Sequence, residues 1–368
     1  MAAADPPAVF HKLSFAKDYS SDNFVVLELT EDMFDKSESG DVRLFVRGAS
    51  EDFAVLCSDT NTYEMKLRES SNTMLLCSNF ESAEVDNEAA ECQVDGMQHY
   101  FLELRQLTPR WNRVKHLMES APFQGAEYEI AVETEKKYSF GELQSSVQSS
   151  QAELLHYLQN IIYACEINGF WRILTHEYVV RLIQQIVTWL QYNSLTWDNI
   201  PLTEAEVALA DLEPAEVMKN FFWPRFALQS AGPFNTCQLN REAIARAIVS
   251  AFLRTGAKIY CDELVRWWQS AIPFDIEFDE KLLGGIAYND YHDVTPSYCY
   301  FPKDDLPTVA ETRFMLLFKE RSQWARDELV PYIEDIVTEG QTVDKMIQKF
   351  AKSFVEEGRT FFVGSSFV

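Results

Sequence analysis

Several features that would define a protein class are missing from this sequence of 368 residues. It contains no run of about 18 apolar residues, so we expect no membrane-spanning helix. The first residues, MAAADPP, lack a basic stretch followed by an apolar one, so no secretory signal is expected. Glycine and proline number only 13 each, and hydrophobic residues make up 47%. This composition is typical of globular domains and excludes a mainly disordered or collagen-like chain.

The seven cysteines are widely spaced, and no two of them form a Cys-x-x-Cys pair. This spacing argues against zinc modules and against thioredoxin-like redox chemistry. The sequence also has no Asn-x-Ser/Thr glycosylation site. Both facts favour a reducing, intracellular compartment, and we expect most of the cysteines to be small core residues.

The motifs of common enzyme classes are also missing. The sequence has no Gly-x-x-x-x-Gly-Lys-Ser/Thr loop, no Gly-x-Gly-x-x-Gly turn and no Gly-x-Ser-x-Gly elbow. His176 and Glu177 begin a zinc-protease pattern, but Val180 stands where its second histidine is needed. Segment 35–40 resembles a calcium loop, but Val46 occupies the position of its bidentate glutamate. We therefore expect no enzyme, no catalytic residue, no metal and no cofactor.

Positive charge is scarce. The chain has 32 lysines and arginines against 57 acidic residues, a net charge of -25. Any contact with nucleic acid must therefore be local and must work against an unfavourable overall field. Two other interpretations of the acidity stay open, a basic protein partner and solubility alone.

Residues 9–108 show short apolar and polar alternations separated by frequent turns, which predict a β-rich, barrel-like or sandwich-like domain. Separate strands are expected at 63–67 and 74–77, and a polar loop at 79–98. The apolar residues are few for a self-sufficient core, so we predict an open β half completed by strands of partner chains. The strand residues predicted to contact those partners are Val25, Leu27, Leu29, Leu44 and Val46.

From residue 109 onward the apolar period becomes helical, and helices are followed by short strand pairs. This order is typical of winged-helix domains. The predicted segments are a helix and linker at 109–137 and winged-helix domains at 138–197, 204–307 and 313–368. The predicted fold class is therefore α+β, with a β-rich half followed by a helical array.

Local signals predict individual elements of the helical array. Segments 139–142 and 150–153 both read Ser-x-x-Glu, the spacing of a capping box at a helix start. The apolar patterns predict a short strand at 258–260 and helices at 176–192, 280–286 and 324–337. The aromatic segment 221–223 is expected in the core, and an exposed partner patch stays open as the alternative.

The last segment, 313–368, carries 8 basic and 9 acidic residues and is nearly neutral, unlike the rest of the chain. Lys345, Lys349 and Lys352 fall at helical spacing, and Arg359 begins the predicted wing. We predict that these four residues bind DNA phosphates. An ordinary solvated helix face explains the same spacing, so that alternative stays open.

A set of segments, in order along nearly the whole chain, carries a family resemblance. They are FAVLC at 53–57, TYEMK at 62–66, SNTMLL at 71–76, PFQG at 122–125, ACEINGFWRIL at 164–174, KDDLP at 303–307 and LVPYI at 329–333. Together they resemble the family of sister chromatid cohesion proteins known as "defective in sister chromatid cohesion protein one".

The resemblance implies a non-ATPase subunit of an alternative, replication factor C-like clamp loader. Such a subunit would join a large ATPase subunit and a very small subunit through its β half, in a hetero-oligomer. The assembly would dock on the catalytic subunit of DNA polymerase epsilon, load and unload the clamp PCNA, and support replication and cohesion. Trp171 and Arg172, in the most specific segment, are predicted to take part in partner contacts.

We therefore expect a nuclear adaptor that binds DNA weakly and locally, contacts PCNA only indirectly and has no membrane role. Two rival functions stay open. One is a winged-helix transcription factor, which would need to discriminate between base sequences. The other is a scaffold subunit with no role on DNA.

Overall fold

The computed structural model of the chain divides into two compact units, Met1–Leu107 and Thr108–Val368. The residues that the structure describes are 11–20, 23–41, 43–48, 50–78, 90–131, 136–229, 236–256, 258–273, 276–290, 295–337, 340–356 and 358–365. Among them, no helix combines the length and the apolar character that crossing a membrane requires.

The first unit is built on a mixed sheet. Its elements are strands β1 (His11–Phe15) and β2 (Leu27–Glu28), helix α1 (Glu31–Glu38), and strands β3 (Phe45–Arg47), β4 (Val55–Cys57), β5 (Thr62–Ser78) and β6 (Ala90–Gln106). The strand order is β1-β6-β5-β4-β3, and β2 also pairs with β6. Strands β1 and β2 run parallel to β6, and the other pairs are antiparallel. Closure of this sheet into a barrel stays a prediction.

Strands β5 and β6 form the longest pairing of the unit and correct two predictions. The strands expected at 63–67 and 74–77 are one continuous strand, with irregular register between Glu69 and Met74. The predicted loop at 79–98 is wrong from Ala90 onward, because β6 begins there. Buried Cys92 and Val94 alternate with polar residues, which is the period of a half-buried strand. Residues 79–89 lie outside the described residues.

The second unit is predominantly helical, with small sheets between the helices. Its helices are α2 (Asn112–Glu119), α3 (Phe140–Ser146), α4 (Gln151–His156), α5 (His176–Tyr192), α6 (Leu202–Leu209), α7 (Ala215–Val217), α8 (Trp223–Phe226), α9 (Arg241–Arg254), α10 (Cys261–Ala271), α11 (Ala310–Glu320), α12 (Arg326–Leu329) and α13 (Val343–Phe350). Its strands are β7 (Ala164–Ile167), β8 (Phe170–Ile173), β9 (Ile200–Pro201), β10 (Ala227–Gln229), β11 (Thr236–Leu239), β12 (Lys258–Tyr260), β13 (Ala287–Asp290), β14 (Ser297–Tyr300), β15 (Gln323–Ala325), β16 (Ala351–Glu356) and β17 (Arg359–Gly364). The sheets have the orders β7-β8, β10-β11-β9, β12-β14-β13 and β15-β17-β16.

Local sequence signals explain where several of these helices begin. The predicted capping boxes are present, because Ser139 and Glu142 cap α3, and Ser150 and Glu153 cap α4, reciprocally. The Thr175 hydroxyl accepts a hydrogen bond from the backbone N–H of Tyr178 at the start of α5. The division of this unit into three winged-helix domains stays a prediction.

Two predicted helices are wrong. The segment 324–337 is not one helix, because Trp324 lies in β15 and α12 ends at Leu329, before single helical turns at Val330–Tyr332 and Glu334–Ile336. Pro331 lacks the backbone N–H that a continuing helix would need. The helix expected at 280–286 is a 3-10 turn, Glu280–Leu283.

The apolar interior is distributed unevenly between the units. In the first unit, Met33, Leu56 and Tyr63 form a small buried cluster. The second unit has a large cluster drawn from β7 to β14 and two further clusters, one around α2 to β8 and one around α11 to β17. The aromatic segment 221–223 lies in the large cluster, so its three side chains are core residues and not an exposed patch.

Candidate functional site

The predicted DNA-binding lysines begin on α13. The Thr342 hydroxyl accepts a hydrogen bond from the backbone N–H of Lys345 and starts the helix. The apolar face, Met346, Ile347 and Phe350, is buried. The opposite face exposes Lys345 and Lys349, one turn apart, so this part of the predicted stripe exists.

The stripe does not continue to Lys352, which corrects the sequence interpretation. Helix α13 ends at Phe350, and Lys352 belongs to strand β16, opposite Val363 of β17. Side chains alternate between two faces in a strand, so Lys352 does not extend the helical row. Its side chain is nevertheless exposed.

Arg359 is the first residue of β17, as predicted for the wing. Its guanidinium lies 3.4 Å from the Asp327 carboxylate, and both side chains are exposed. Glu356 stands opposite Arg359 in the hairpin register. Two carboxylates therefore offset part of its charge, and an exposed ion pair of this kind contributes little to stability.

The hairpin of β16 and β17 also presents aromatic side chains that the sequence analysis did not single out. Phe354 and Phe361 are cross-strand partners whose rings stack with centroids 5.7 Å apart. Residues two apart share a strand face, so Lys352 and Arg359 flank this pair on the same side of the hairpin. The face combines two cations and the Glu356 carboxylate with stacked rings.

The predicted partner-contact residues of the first unit divide into two groups. Val25 and Val46 are exposed at 63% and 68%. Leu27, Leu29 and Leu44 are only partly exposed, because they pack against the small cluster of Met33, Leu56 and Tyr63. The first group is available to another chain, whereas the second supports the fold from inside.

More apolar surface is exposed on this unit than the sequence analysis named. Phe53 is 95% exposed, the highest value among the exposed large hydrophobic side chains. Besides Val25 and Val46, the other exposed large hydrophobic side chains of this unit are Leu13, Phe15, Phe34, Phe45, Leu67, Leu75, Leu76 and Tyr100. An alternating pattern predicts that one strand face is buried but does not say whether this chain or another covers it.

Strand β3 offers a backbone edge beside this apolar surface. In the described sheet it stands last in the strand order and pairs only with β4. Phe45 and Val46 of β3 are both exposed. An exposed apolar edge strand is a template for pairing with a strand of another chain.

Trp171 and Arg172 are buried, so the structure corrects their assignment to a partner surface. Trp171 packs in the cluster around α2 to β8, and Arg172 is 2% exposed. The Arg172 guanidinium donates hydrogen bonds to the carbonyl of Ala121 at 2.8 Å and to the Glu129 carboxylate at 2.8 Å. These side chains hold the second unit together, and we do not retain them as surface contacts.

Glu129 connects Arg172 to Lys137, whose ammonium donates a hydrogen bond to the same carboxylate at 2.7 Å. Burial alone would raise the pKa of Glu129, but the two hydrogen bonds and positive charges outweigh it and lower the pKa. The carboxylate is therefore held in its charged form by the fold.

The cysteines have no arrangement suited to metal binding. Among the described residues, no three potential metal ligands are grouped. Cys57, Cys92, Cys165 and Cys237 are buried, and Cys77, Cys261 and Cys299 are partly buried. Burial raises the pKa of the Cys165 thiol to about 12 and that of Cys237 to about 11. Thiols held protonated in this way are poor nucleophiles and poor metal ligands.

Comparison with known proteins assigns the chain to a family. Residues 24–333 match the family described as sister chromatid cohesion protein Dcc1. This chain belongs to the Dcc1 family. Sister chromatid cohesion protein DCC1 of Xenopus tropicalis is 29% identical over 357 residues, covering 95% of this chain and 90% of that protein.

Similarity to the Dcc1 family extends to distant organisms. Sister chromatid cohesion protein DCC1 of Homo sapiens is 27% identical over 365 residues, covering 96% of this chain and 91% of that protein. Its counterpart in Saccharomyces cerevisiae is 23% identical over 323 residues, covering 81% of this chain and 84% of that protein. Family membership supports a role in sister chromatid cohesion. The Dcc1 family is named for cohesion and not for an enzymatic activity.

Proposed function

We propose that this chain is a non-catalytic adaptor subunit of an alternative clamp loader. In this proposal it acts in the nucleus, where the assembly loads and unloads PCNA, supports DNA replication and maintains sister chromatid cohesion. Membership of the Dcc1 family supports the cohesion role. The observation that carries the adaptor role is the apolar surface of the first unit.

The first unit would bind the large ATPase subunit and the small subunit of the loader. Its exposed apolar side chains include Val25, Val46 and Phe53, and β3 provides an unpaired edge within the described sheet. Burying apolar surface contributes roughly 25 cal/mol per Å². Strands of partner chains added at β3 would cover this surface and satisfy its backbone groups.

The second unit would contact DNA polymerase epsilon and DNA. Docking of the segment 138–197 on the polymerase rests on the family resemblance alone. DNA binding rests on Lys345, Lys349, Lys352 and Arg359, all of which are exposed. The net charge of -25 and the pairing of Arg359 with Asp327 favour weak, local binding to phosphates.

The adaptor role can be tested by co-expressing the full chain with the small subunit and the C-terminal tail of the large subunit. A charged residue at the β3 edge, Val46→Glu, should prevent stoichiometric capture because it places a charge in the buried contact. Val207→Glu on α6 is the matched control, since Val207 is 73% exposed in the second unit. Equal capture by both variants would refute a contact at β3. A full chain that stays folded and binds neither subunit would refute the adaptor role.

The DNA role can be tested by measuring affinity against salt concentration. Four phosphate contacts predict a log-log slope of roughly -3 to -4. Changing Lys345, Lys349, Lys352 and Arg359 together to alanine should abolish this dependence. A control with four other exposed basic residues changed, Lys17, Lys36, Arg43 and Arg68, should keep it.

This experiment also separates the rival functions. Binding that survives the quadruple change would remove DNA contact from this surface. Absence of DNA binding by the unchanged chain even at low salt, with partner capture intact, would favour the scaffold subunit. Strong preference for one base sequence over unrelated duplexes would favour a transcription factor.

A further inference from the structure

The second unit contains a cavity of about 740 Å³. It lies between the start of α5, helix α9 and the turn Lys303–Asp305. A cavity of this size lies within the range of small-molecule sites, roughly 300–1,000 Å³. Its wall is rich in arginine, although the chain as a whole is strongly acidic.

One face of α9 forms an arginine wall. Ala243, Arg246, Ser250 and Arg254 all line the cavity and fall three or four residues apart. Residues at this spacing share one face of a helix. The small side chains of Ala243 and Ser250 alternate with the two arginines and leave room beside each guanidinium.

Two arginines in the wall have no acidic partner. Arg225 donates hydrogen bonds to the carbonyls of Gln159 and Ile162, and Arg246 donates to those of Leu282 and Gly284. Among the described residues, neither guanidinium has a carboxylate within salt-bridge distance. A guanidinium has five N–H donors, so donors on both side chains are left over for a ligand.

Other groups around the cavity also favour a negative ligand. Arg254 is exposed and lines the cavity near His176 at the start of α5. Burial is the main cause of the lowered pKa of the His176 imidazole; the charges of Arg254 and Lys115 lower it further, and those of Glu177 and Asp305 raise it. The N-terminal end of the long helix α5 adds a partial positive charge.

Four carboxyl groups also line the cavity, those of Glu119, Glu177, Asp304 and Asp305, and two of them are engaged or weakened. Asp305 forms an ion pair with Lys115. Asp304 also lines the cavity, and burial raises the pKa of its carboxyl. The acidic side therefore opposes an anion less than its formal charge indicates.

We propose that this cavity binds a small phosphate-bearing molecule. Arginine is the side chain best matched to phosphate, because its planar fork donates two parallel hydrogen bonds and never loses its charge. Arg225, Arg246 and Arg254 supply three such groups around one space. The proposal does not rest on the adaptor role, since none of the residues assigned to DNA or to the β3 edge line the cavity; it shares with that role only residues of the segment 138–197.

The test is calorimetric titration of the full chain with inorganic phosphate, adenosine monophosphate and adenosine. Saturable binding of both phosphate probes, but not of adenosine, is expected. Equal affinity for inorganic phosphate and adenosine monophosphate would identify phosphate alone as the group that binds. Binding of the nucleotide that is at least about tenfold tighter would show that the walls of the cavity also recognise the base. Failure of both phosphate probes to saturate below about 10 mM would overturn the proposal. Adenosine binding as tightly as its monophosphate would also overturn it.

Two arginines of α9 provide a matched pair of variants. Arg254 and Arg241 are both exposed on the same helix, but only Arg254 lines the cavity. Arg254→Ala should weaken phosphate binding about tenfold, as expected for the loss of a charge-assisted hydrogen bond. Arg241→Ala should leave it unchanged, and Asp304→Asn should tighten it. Equal weakening by Arg254→Ala and Arg241→Ala would show that general charge, and not this cavity, attracts the anion.

Discussion

The two units differ most in how much of their apolar surface they bury themselves. In the described part of the first unit, the buried hydrophobic residues are Ala16, Met33, Val55, Leu56, Cys57, Tyr63, Cys92 and Val94. The second unit has three buried clusters that contain most of its apolar helix faces. Because burial of apolar area is the main favourable contribution to folding, the second unit should be the more stable one.

The units also differ in whether their paired arginines are buried or exposed. In the second unit Arg313 is 1% exposed and donates hydrogen bonds to the carbonyls of Pro307 and Tyr332 and to the Asp335 carboxylate. In the first unit Arg68 and Arg105 pair with Glu103 on the surface. Removing one partner of a buried arginine leaves an uncompensated buried charge, whereas an exposed pair contributes little to stability.

The largest expected difference between the units comes from the same substitution made in each. Phe222→Ala removes a fully buried ring of the large cluster and should lower the free energy of unfolding by about 3–5 kcal/mol. Phe53→Ala removes a ring that is 95% exposed and should change it by less than about 0.5 kcal/mol. Urea unfolding followed by circular dichroism measures both. Similar losses for both variants would contradict the difference in burial.

Binding of partner chains should produce the second largest effect, and only on the first unit. A partner present at 100 times its dissociation constant adds about 2.7 kcal/mol to the stability of the unit that it binds. All eight tryptophans lie at residue 111 or later, so tryptophan fluorescence reports unfolding of the second unit alone. Partner addition should shift the strand signal in circular dichroism without shifting the fluorescence transition. Equal shifts in both signals would contradict the expectation that partner binding stabilises the first unit alone.

Helix caps in the two units should give a smaller, measurable effect. Ser150→Ala removes one hydroxyl of the capping box of α4 and should cost about 1 kcal/mol, detected by tryptophan fluorescence. Thr30→Ala removes the cap of α1 in the first unit, where the bond from the Met33 N–H is longer, at 3.4 Å. Thr30→Ala should therefore lower the free energy of unfolding by less than Ser150→Ala does. Only the circular dichroism signal should report this loss. A fluorescence shift in Thr30→Ala would contradict the independence of the units.

Elements with strong local signals were predictable from sequence. Helix α5 begins at His176 and ends at Tyr192, as its apolar period predicts, and strand β12 spans the predicted Lys258–Tyr260. Both capping boxes were also identified correctly. Each of these elements is determined by residues within a few positions of one another.

Features that depend on distant contacts were not predictable. The sequence does not show that Arg172 is buried, because its partner Glu129 is 43 residues away. The long pairing of β5 with β6 depends on register across the sheet. The arginine spacing along α9 is visible in the sequence, but only the fold brings Arg225 and the α5 terminus to the same cavity.

The smallest expected effect is a difference in pH dependence between two paired glutamates. The pKa of Glu129 in the second unit is lowered, because hydrogen bonds from Arg172 and Lys137 outweigh burial, which raises it. The pKa of Glu103 in the first unit is lowered by hydrogen bonds from Arg105 and Arg68. A carboxylate with a lowered folded-state pKa stabilises the fold above its ordinary pKa of 4.5, and this stability is lost as pH falls through the folded-state value.

The variants Glu129→Gln and Glu103→Gln test whether this linkage differs between the units. Glu129→Gln should flatten the loss of stability of the second unit below pH 4.5, measured by tryptophan fluorescence in urea. Glu103→Gln should change the acid sensitivity of the first unit less, because solvent screens an exposed pair. A larger change in Glu103→Gln than in Glu129→Gln would show that exposed charge pairs contribute more to the stability of the first unit than the Arg172 and Lys137 contacts of Glu129 contribute to the second. Burial of apolar surface would then not be sufficient to explain the difference in stability between the units.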